Sequence, residues 1–313
     1  CTTFIFAQIE VWQWAKQAGG TDWDEGHSIA IDSSGNSYIT GDFRSSSITF
    51  GTITLTNSSN ESSDIFVAKL DSNGNWLWAR QAGGGGWDKG YGIAVDASGN
   101  SYVTGSFSGS ATFGTTTLTS SIYDCDIFVA KLDSNGNWLW TKQTDRTSSV
   151  CGYSIAVDSN GSSYVTGNFI GNTTFGTTTL TSNVSWDIFV AKLDSNGNWL
   201  WANQAGGTDW DEGNSIAVDA SGNSYVTGYF YNSVSFSTTT LTSSGSYDIF
   251  VAKLDSNGNW LWAKRAGGTD WDEGNSIAVD ASSNIYVTGY FSISATFGTT
   301  TLTSSGYEDI FVA

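Results

Sequence analysis

The segment DIFVAKLDSNGNWLW at residues 64–78 decides the fold, because it returns at residues 126–140, 187–201 and 248–262. A shortened copy, DIFVA, occupies residues 309–313, so that successive copies start 62, 61, 61 and 61 residues apart. A second motif, SIAID, SIAVD or GIAVD, keeps the same phase and ends at Asp32, Asp96, Asp158, Asp219 and Asp280. A fixed period of this length predicts a repeat protein, and the five copies of the second motif predict five units.

Each unit has the pattern of four β-strands, which we name A (SIAVD), B (SYVTG), C (DIFVAKLD) and D (WLWAKQ). Strands C and D are joined by Ser-Asn-Gly-Asn and strands A and B by Ser-Gly-Asn, short turns in which Gly permits a positive φ. Trp76 and Trp78 alternate with Leu77 and Ala79, so both faces of strand D are apolar, as in a sheet that lies between two others. No long segment has the period of a helix.

Four strands in a unit of about 61 residues predict the blade of a β-propeller. A β-solenoid is the alternative, but its rungs are usually shorter. We therefore predict an all-β, five-bladed β-propeller with four-stranded blades, forming a single domain over residues 1–313. The segment between strands B and C, complete for the first time at residues 107–123, is predicted to be a polar loop or a short extra strand at the rim. The predicted boundaries are 1–18 for closing or spare strands and about 19–80, 81–142, 143–203, 204–264 and 265–313 for the repeats.

Three patterns carry a resemblance to a known family: W-x-W-A-K-Q-x-G-G, S-I-A-V-D-A-S-G-N-S-Y-V-T-G and D-I-F-V-A-K-L-D. Together they resemble the bacterial beta-propeller repeat family labelled SBBP, and the resemblance covers nearly the whole chain. It implies the propeller fold and a secreted or surface protein of bacterial or archaeal origin. It implies no particular activity.

The two ends of the chain carry incomplete units. Residues 4–9 have the pattern of a degenerate strand C, Trp12 and Trp14 belong to a strand D, and the last unit ends in a short strand C. We predict that the N-terminal strand D completes the last blade and closes the ring, which removes open sheet edges. One copy of strand C is then spare and would pair with an edge of another molecule, whereas the alternative is a disordered terminus. The residues of these assembly strands are Phe4, Ile5, Phe6, Ile310, Phe311 and Val312.

The charge balance excludes several partners. The chain carries 30 acidic against 12 basic residues, a net charge of −18, which would repel phosphate backbones and anionic lipids. No apolar run approaches the length of a transmembrane helix. We expect self-association or binding of surface glycans, and no nucleic-acid partner.

Catalytic patterns are missing from the sequence. His27 is the single histidine, and its equivalents in the other units are Tyr91, Tyr153, Asn214 and Asn275, so we interpret the position as loop surface. There is no Ser-His-Asp set, no histidine cluster for zinc and no phosphate-binding glycine loop. We predict that the chain is not an enzyme. A hydrolase with two carboxylates is the remaining alternative, although no unusual acidic constellation stands out.

The loop after strand D is the candidate ligand site. Its motif GGTDWDEG supplies three carboxylates beside an indole, a set that suits calcium or a sugar stacked on the ring. The alternative is that Trp caps the blade and the acidic groups are solvated. The candidate residues are Asp22, Trp23, Asp24 and Glu25, then Asp209, Trp210, Asp211 and Glu212, then Asp270, Trp271, Asp272 and Glu273. The DSNGN turns resemble a calcium loop only superficially, since turn chemistry explains their residues.

Cysteines indicate the compartment. Cys125 precedes strand C of the second unit and Cys151 falls in the following D–A loop, so both should lie on one face of the ring and form a disulfide. A disulfide favours an oxidising, extracellular setting, whereas the alternative is two unpaired thiols. Cys1 is left over.

The sequence therefore predicts a non-catalytic, extracellular or cell-surface structural or adhesive propeller, which self-assembles into filaments through a spare terminal strand. The alternative is a multivalent, lectin-like propeller that binds carbohydrate through the GGTDWDEG loops. No cofactor is expected, and calcium is left open.

Overall fold

The chain is all-β in the computed structural model, which describes residues 12–59 and 61–313. Within these residues there is no helix, and hence none that would cross a lipid bilayer. Strand pairs are antiparallel throughout, as expected for neighbours joined by short turns.

The strand bounds follow the repeat. A short strand, β1 (Ala18–Gly19), precedes the first repeat. The first repeat contains β2 (Asp24–Ile31), β3 (Ser37–Phe43), β4 (Ser47–Phe50), β5 (Ile53–Thr56), β6 (Asp64–Leu70) and β7 (Trp76–Gly84). The second contains β8 (Lys89–Val95), β9 (Ser101–Phe107), β10 (Ser110–Phe113), β11 (Thr116–Thr119), β12 (Asp126–Leu132) and β13 (Trp138–Lys142).

The third repeat contains β14 (Asp145–Arg146), β15 (Val150–Val157), β16 (Ser163–Phe175), β17 (Thr178–Leu193) and β18 (Trp199–Ala205). The fourth contains β19 (Asp211–Val218), β20 (Ser224–Phe236), β21 (Thr239–Leu254) and β22 (Trp260–Ala266). The fifth contains β23 (Asp272–Val279), β24 (Ile285–Phe297) and β25 (Thr300–Val312). Three D strands, β7, β18 and β22, run past the predicted repeat limits at 80, 203 and 264.

In the first four repeats the strands lie in the predicted order A-B-C-D, for example β2-β3-β6-β7 in the first and β19-β20-β21-β22 in the fourth, and the fifth repeat has A-B-C as β23-β24-β25. The C–D turns form as the sequence predicts. The Asp71 carboxylate accepts hydrogen bonds from the backbone N–H groups of Asn73 and Asn75 at 2.9 and 2.8 Å, and Gly74 takes a φ of 77°. These turns need no metal ion, because the Asp side chain is already satisfied within its own turn.

The segment between strands B and C was expected to be either a polar loop or a short extra strand. It forms extra strands. In the first two repeats it is a separate hairpin, β4–β5 and β10–β11. In the later repeats it continues strands B and C into one long hairpin, as in β16–β17. The hairpin also pairs with strand D of the preceding repeat, as β10 does with β7 at Phe113 and Ala82, and so fastens neighbouring repeats together.

The core lies between successive sheets. Each of four apolar clusters combines strands B, C and D of one repeat with strands of the next. Two hydrogen bonds recur at the first three junctions. The hydroxyl of Tyr38 donates to the carbonyl of Gly99 at 3.1 Å, and the indole Nε1 of Trp78 donates to the carbonyl of Ser134 at 3.1 Å. Each repeat therefore offers a donor face to the next repeat and an acceptor face to the one before.

The end repeats keep one face free. From residue 12 onward, the N-terminal segment forms one strand pair with the first repeat, β1 with β4. Trp14 donates to the carbonyl of Ser72, as Trp78, Trp140 and Trp201 do to the equivalent serines. No described strand pairs with the outer edge of β25, in which Phe311 is buried while Ile310 and Val312 are largely exposed. Closure of the ring by the N-terminal strand therefore stays a prediction. The predicted assembly residues Phe4, Ile5 and Phe6 lie outside the described residues.

Candidate functional site

The GGTDWDEG motif is divided between a loop and a strand, whereas the sequence analysis placed all of it in the loop. Asp22 and Trp23 lie in the loop, but Asp24 and Glu25 already belong to β2 and pair with β3. The same division holds in the fourth and fifth repeats, where β19 begins at Asp211 and β23 at Asp272. Strand alternation then sends successive side chains of the motif in opposite directions.

The aspartate that begins strand A points inward and holds its own loop. Asp24 accepts a hydrogen bond from the backbone N–H of Gly20 at 2.7 Å, and Asp272 accepts one from Gly268 at 2.6 Å. Asp88, in the weaker copy of the motif, accepts the equivalent bond from Gly84 at 2.8 Å. A ligand on the loop surface would not reach the fully buried carboxylates of Asp88 and Asp272.

The outer aspartates and the glutamates are also engaged. Asp22 and Asp270 each accept a hydrogen bond from the N–H of the following tryptophan. Glu212 accepts from the side-chain amide of Asn168 at 2.8 Å, and Glu273 accepts from that of Asn214 at 3.0 Å. These amides belong to the preceding repeat, so the two glutamates join neighbouring repeats. The carboxylates of one motif do not converge on a common ligand.

The tryptophans of the motif stay partly open. Trp23 is 71% exposed, and Trp210 and Trp271 are 43% and 44% exposed. Each of the latter two rests on a ring of the preceding repeat: Trp210 stacks on Trp186 at 6.3 Å between centroids, and Trp271 lies 5.1 Å from Tyr247. The indoles of the motif therefore form a row of partly exposed rings along one side of the stacked repeats.

A row of buried carboxylates at the junctions between repeats was not recognised in the sequence. The aspartate that begins strand C lies beside the aspartate at the start of strand A of the next repeat, in the pairs Asp64 with Asp88, Asp187 with Asp211 and Asp248 with Asp272. Burial and the neighbouring carboxylate raise the pKa of Asp88 and of Asp211 to about 8. The fixed distance of 24 residues between the two members was visible in the sequence, but their burial was not.

Two junctions carry an arginine beside the strand C aspartate. At the second junction Val150 replaces the strand A aspartate, and the guanidinium of Arg146 lies 3.0 Å from Asp126 Oδ2. At the fourth junction Arg265 lies 2.7 Å from Asp248 Oδ2. At the first and third junctions the position of Arg265 is taken by Gln81 and Gln204. Their neutral amides bring no positive charge to the strand C aspartates.

His27 was interpreted as loop surface. Its position is exposed, but it lies in strand β2 and not in a loop. Its Nε2 lies 2.7 Å from Asp42 Oδ1 and 4.0 Å from Glu25 Oε2, and one ligand atom from each residue falls within 4.8 Å of the others. This proximity was not visible in the sequence, because Asp42 belongs to the paired strand β3. His27 Nε2 and Asp42 Oδ1 already form a hydrogen bond with each other.

Cys125 and Cys151 form a disulfide in the structure, with Cα atoms 6.1 Å apart. Cys151 lies in β15 and not in a loop, and its neighbour Val150 is hydrogen-bonded to the carbonyl of Cys125. The disulfide joins the second and third repeats at the junction that has no aspartate pair.

Comparisons with known proteins support the repeat. The family described as beta-propeller repeat, SBBP, matches residues 13–42, 77–106, 139–172, 200–229 and 261–290. An uncharacterized WD repeat-containing protein, L264, of Acanthamoeba polyphaga mimivirus is 26% identical over 84% of this chain and 24% of its own length. The regulatory protein FlaEY of Caulobacter vibrioides is 27% identical over 51% of this chain and 17% of its own length. The chain thus spans about a quarter or less of these relatives.

Among solved structures, Sqt1 from Chaetomium thermophilum aligns with 94% of this chain and 88% of its own, at 12% identity and a TM-score of 0.32. So low a score supports no inference about the arrangement of the repeats.

Proposed function

Because this chain belongs to the SBBP family of beta-propeller repeat proteins, we propose that it is a non-catalytic structural or adhesive module of the cell surface that associates end to end with further copies of itself. The observation that carries the proposal is the pair of free end faces. Each face includes a side chain, Ile29 or Tyr286, whose equivalents are buried at every internal junction.

Among residues 12–59 and 61–313, no repeat covers the acceptor face of the first repeat. Ile29 is 62% exposed, whereas its equivalent in the second repeat, Ile93, is 5% exposed because the first repeat covers it. The neighbouring Ile31 is exposed as well. Apolar side chains that form a patch on a monomer mark a surface that gains stability when a partner covers it.

In the part of the chain that the structure describes, no repeat covers the donor face of the fifth repeat. Tyr286 is 51% exposed, while its equivalents in the first four repeats are at most 1% exposed, because the next repeat covers them. The outer edge of β25 also leaves backbone groups unpaired, which favours the addition of a strand.

The two faces fit each other by the geometry of the internal junctions. Neighbouring repeats pack against each other at four junctions within the chain, and at the first three the donor face makes both hydrogen bonds to the acceptor face. The fifth repeat would meet the first repeat of a second copy in the same way. Residues 12–19 of that copy would then lie where the fifth repeat has no strand D, and Trp14 already makes the D-strand contact with the first repeat. Such a heterologous contact builds an open filament when the rotation does not close.

The test uses two variants that each block one end. We expect the wild-type chain to form larger species as its concentration rises, measured by light scattering and electron microscopy. Ile29→Lys blocks the acceptor face and Tyr286→Lys blocks the donor face, so each variant alone should be monomeric and an equimolar mixture should form only dimers. Leu200→Lys, an exposed leucine of strand D, is the matched control and should assemble like the wild type.

A wild-type chain that stays monomeric at all concentrations contradicts end-to-end association. In that case the same two faces would meet within one chain, as in the predicted ring.

Multivalent carbohydrate binding is the second candidate function, favoured by the row of open indoles at Trp23, Trp210 and Trp271. If each ring stacks on a sugar, Trp210→Ala combined with Trp271→Ala should weaken binding to a glycan array at least tenfold, since loss of one aromatic contact costs about 1 kcal/mol. Tyr307→Ala removes an even more exposed aromatic group outside the row and is the control. Equal binding by the double variant and the control would exclude these indoles as sugar sites.

A further inference from the structure

Two of the junctions between repeats contain buried carboxylates whose charge is not compensated. Asp64 and Asp88 at the first junction, and Asp187 and Asp211 at the third, are at most 5% exposed. One carboxylate oxygen of Asp64, one of Asp187 and both of Asp211 accept no hydrogen bond of normal geometry. A buried, unsatisfied carboxylate is costly, so each of these oxygens requires a partner.

The two carboxylates of a pair face the same glycine dipeptide. A methyl group placed on Gly83 would lie 2.3 Å from Asp64 Oδ1, while the next N–H, of Gly84, donates to Asp88 Oδ2 at 2.8 Å. At the third junction a methyl group on Gly206 would lie 2.1 Å from Asp187 Cγ, and one on Gly207 would lie 3.7 Å from Asp211 Oδ2. The glycines leave the space between the carboxylates free of side chains.

The other two junctions contain a positive charge beside the strand C aspartate. At the second and fourth junctions the guanidinium groups of Arg146 and Arg265 lie against the strand C aspartates. Within residues 12–59 and 61–313, no lysine or arginine forms an ion pair with the carboxylates of the first and third junctions. Positive charge is thus built into two junctions and missing from the two equivalent ones.

We propose that the Asp64–Asp88 and Asp187–Asp211 pairs are calcium sites, each holding one ion between two neighbouring repeats. All donor atoms available there are oxygens, which hard divalent cations prefer. Two carboxylates supply up to four of the six to eight ligands that calcium takes, and its irregular coordination suits a site completed by water or backbone oxygens better than the strict octahedron of magnesium does. One doubly charged ion neutralises one pair.

An open pocket adjoins the residues that contact the strand C aspartate of each site. An open pocket of about 650 Å³ is lined by Ser58, Gln81 and Gly83, all of which contact Asp64. A similar pocket of about 440 Å³ is lined by Gln204 and Gly206, which contact Asp187. The strand C aspartates therefore lie below the surface, and residues in direct contact with them line an open pocket.

The test counts bound ions on the full chain by equilibrium dialysis with calcium at pH 7.5 in excess potassium chloride, which suppresses weak binding to the exposed acidic turns. We expect two ions per wild-type chain, one in Asp88→Asn, one in Asp211→Asn and none in the double variant. Asp272→Asn changes the corresponding aspartate at an arginine-containing junction and should still bind two. Calcium should raise the melting temperature of the wild type and not that of the double variant.

A second readout needs no change to the aspartates, in case those variants fail to fold. Terbium replaces calcium at oxygen sites and emits when a nearby indole transfers energy to it, and Trp87 and Trp210 directly precede Asp88 and Asp211. Trp87→Phe and Trp210→Phe should each remove about half of the emission, and Trp271→Phe should not reduce it.

The proposal is overturned if the wild type binds no calcium, or if its bound ions and terbium emission persist unchanged in these variants. Each pair would then be held by a shared proton, and this outcome leaves the association of the end faces unaffected.

Discussion

Replacing Arg146 with Met is expected to lower the free energy of unfolding by about 3–5 kcal/mol at pH 7.5, the usual cost of breaking a buried ion pair from one side. Both Arg146 and Asp126 are more than nine-tenths buried, and the guanidinium lies 3.0 Å from the carboxylate. Without Arg146 the Asp126 carboxylate remains in the apolar junction between the second and third repeats. The measurement is urea unfolding, followed by tryptophan fluorescence.

The penalty should depend on pH in a defined direction. Burial raises the pKa of Asp126 to about 6 even with Arg146 present, above its value of about 3.9 in the unfolded chain. The folded state then binds the proton more tightly, so the contribution of this group to stability is complete below about pH 4 and is lost as the pH rises through 6. Removing Arg146 raises the pKa further, so the Arg146→Met penalty should be smaller at pH 4.5 than at pH 7.5.

A second substitution separates charge from packing. Arg146→Met combined with Asp126→Asn removes both charges and should recover most of the lost stability. Lys264→Met, which changes an exposed cation, should stay within about 0.5 kcal/mol of the wild type. A penalty that is equal at both pH values, and that Asp126→Asn does not relieve, would show that Arg146 acts through packing alone.

Replacing Gly228 with Ala is expected to cost about 3 kcal/mol or more, at or above the upper end of the usual range for overpacking. A methyl group at Gly228 would lie 1.9 Å from the backbone carbonyl oxygen of Glu212 and 3.0 Å from the ring of Phe250. The carbonyl is fixed where the register of β19 against β20 shifts between Gly213 and Ser215, and Phe250 is fully buried, so neither neighbour has room to move.

The matched control for Gly228 is a glycine with open space around it. Gly306 has no atom within 4 Å of an added methyl group, so Gly306→Ala should leave the free energy of unfolding within about 0.5 kcal/mol of the wild type. Thermal unfolding of the two variants gives the comparison. Equal melting temperatures would mean that the strand pair shifts to accept the methyl group.

The strands and turns were predictable from the sequence because their causes are local. Strand alternation fixes which side chains share a face, and the carboxylate of Asp71 satisfies backbone groups no more than four residues away. The GGTDWDEG motif was less predictable, because the pairing of β2 with β3 turns Asp24 inward while Trp23 stays exposed. Adjacent residues of one motif therefore lie in opposite environments, one facing inward and one facing solvent.

By itself, then, the sequence determined the period, the order of strands A to D and the turns between them, since these depend on contacts within one repeat. Only the tertiary structure decided that Asp88 meets Asp64, that His27 meets Asp42, and that Ile29 and Tyr286 are left uncovered at the two ends. Each of these facts depends on how one sheet covers the next or pairs with its neighbour. Whether a carboxylate is buried or an apolar face stays exposed follows from that stacking, and a repeated sequence motif looks the same in either case.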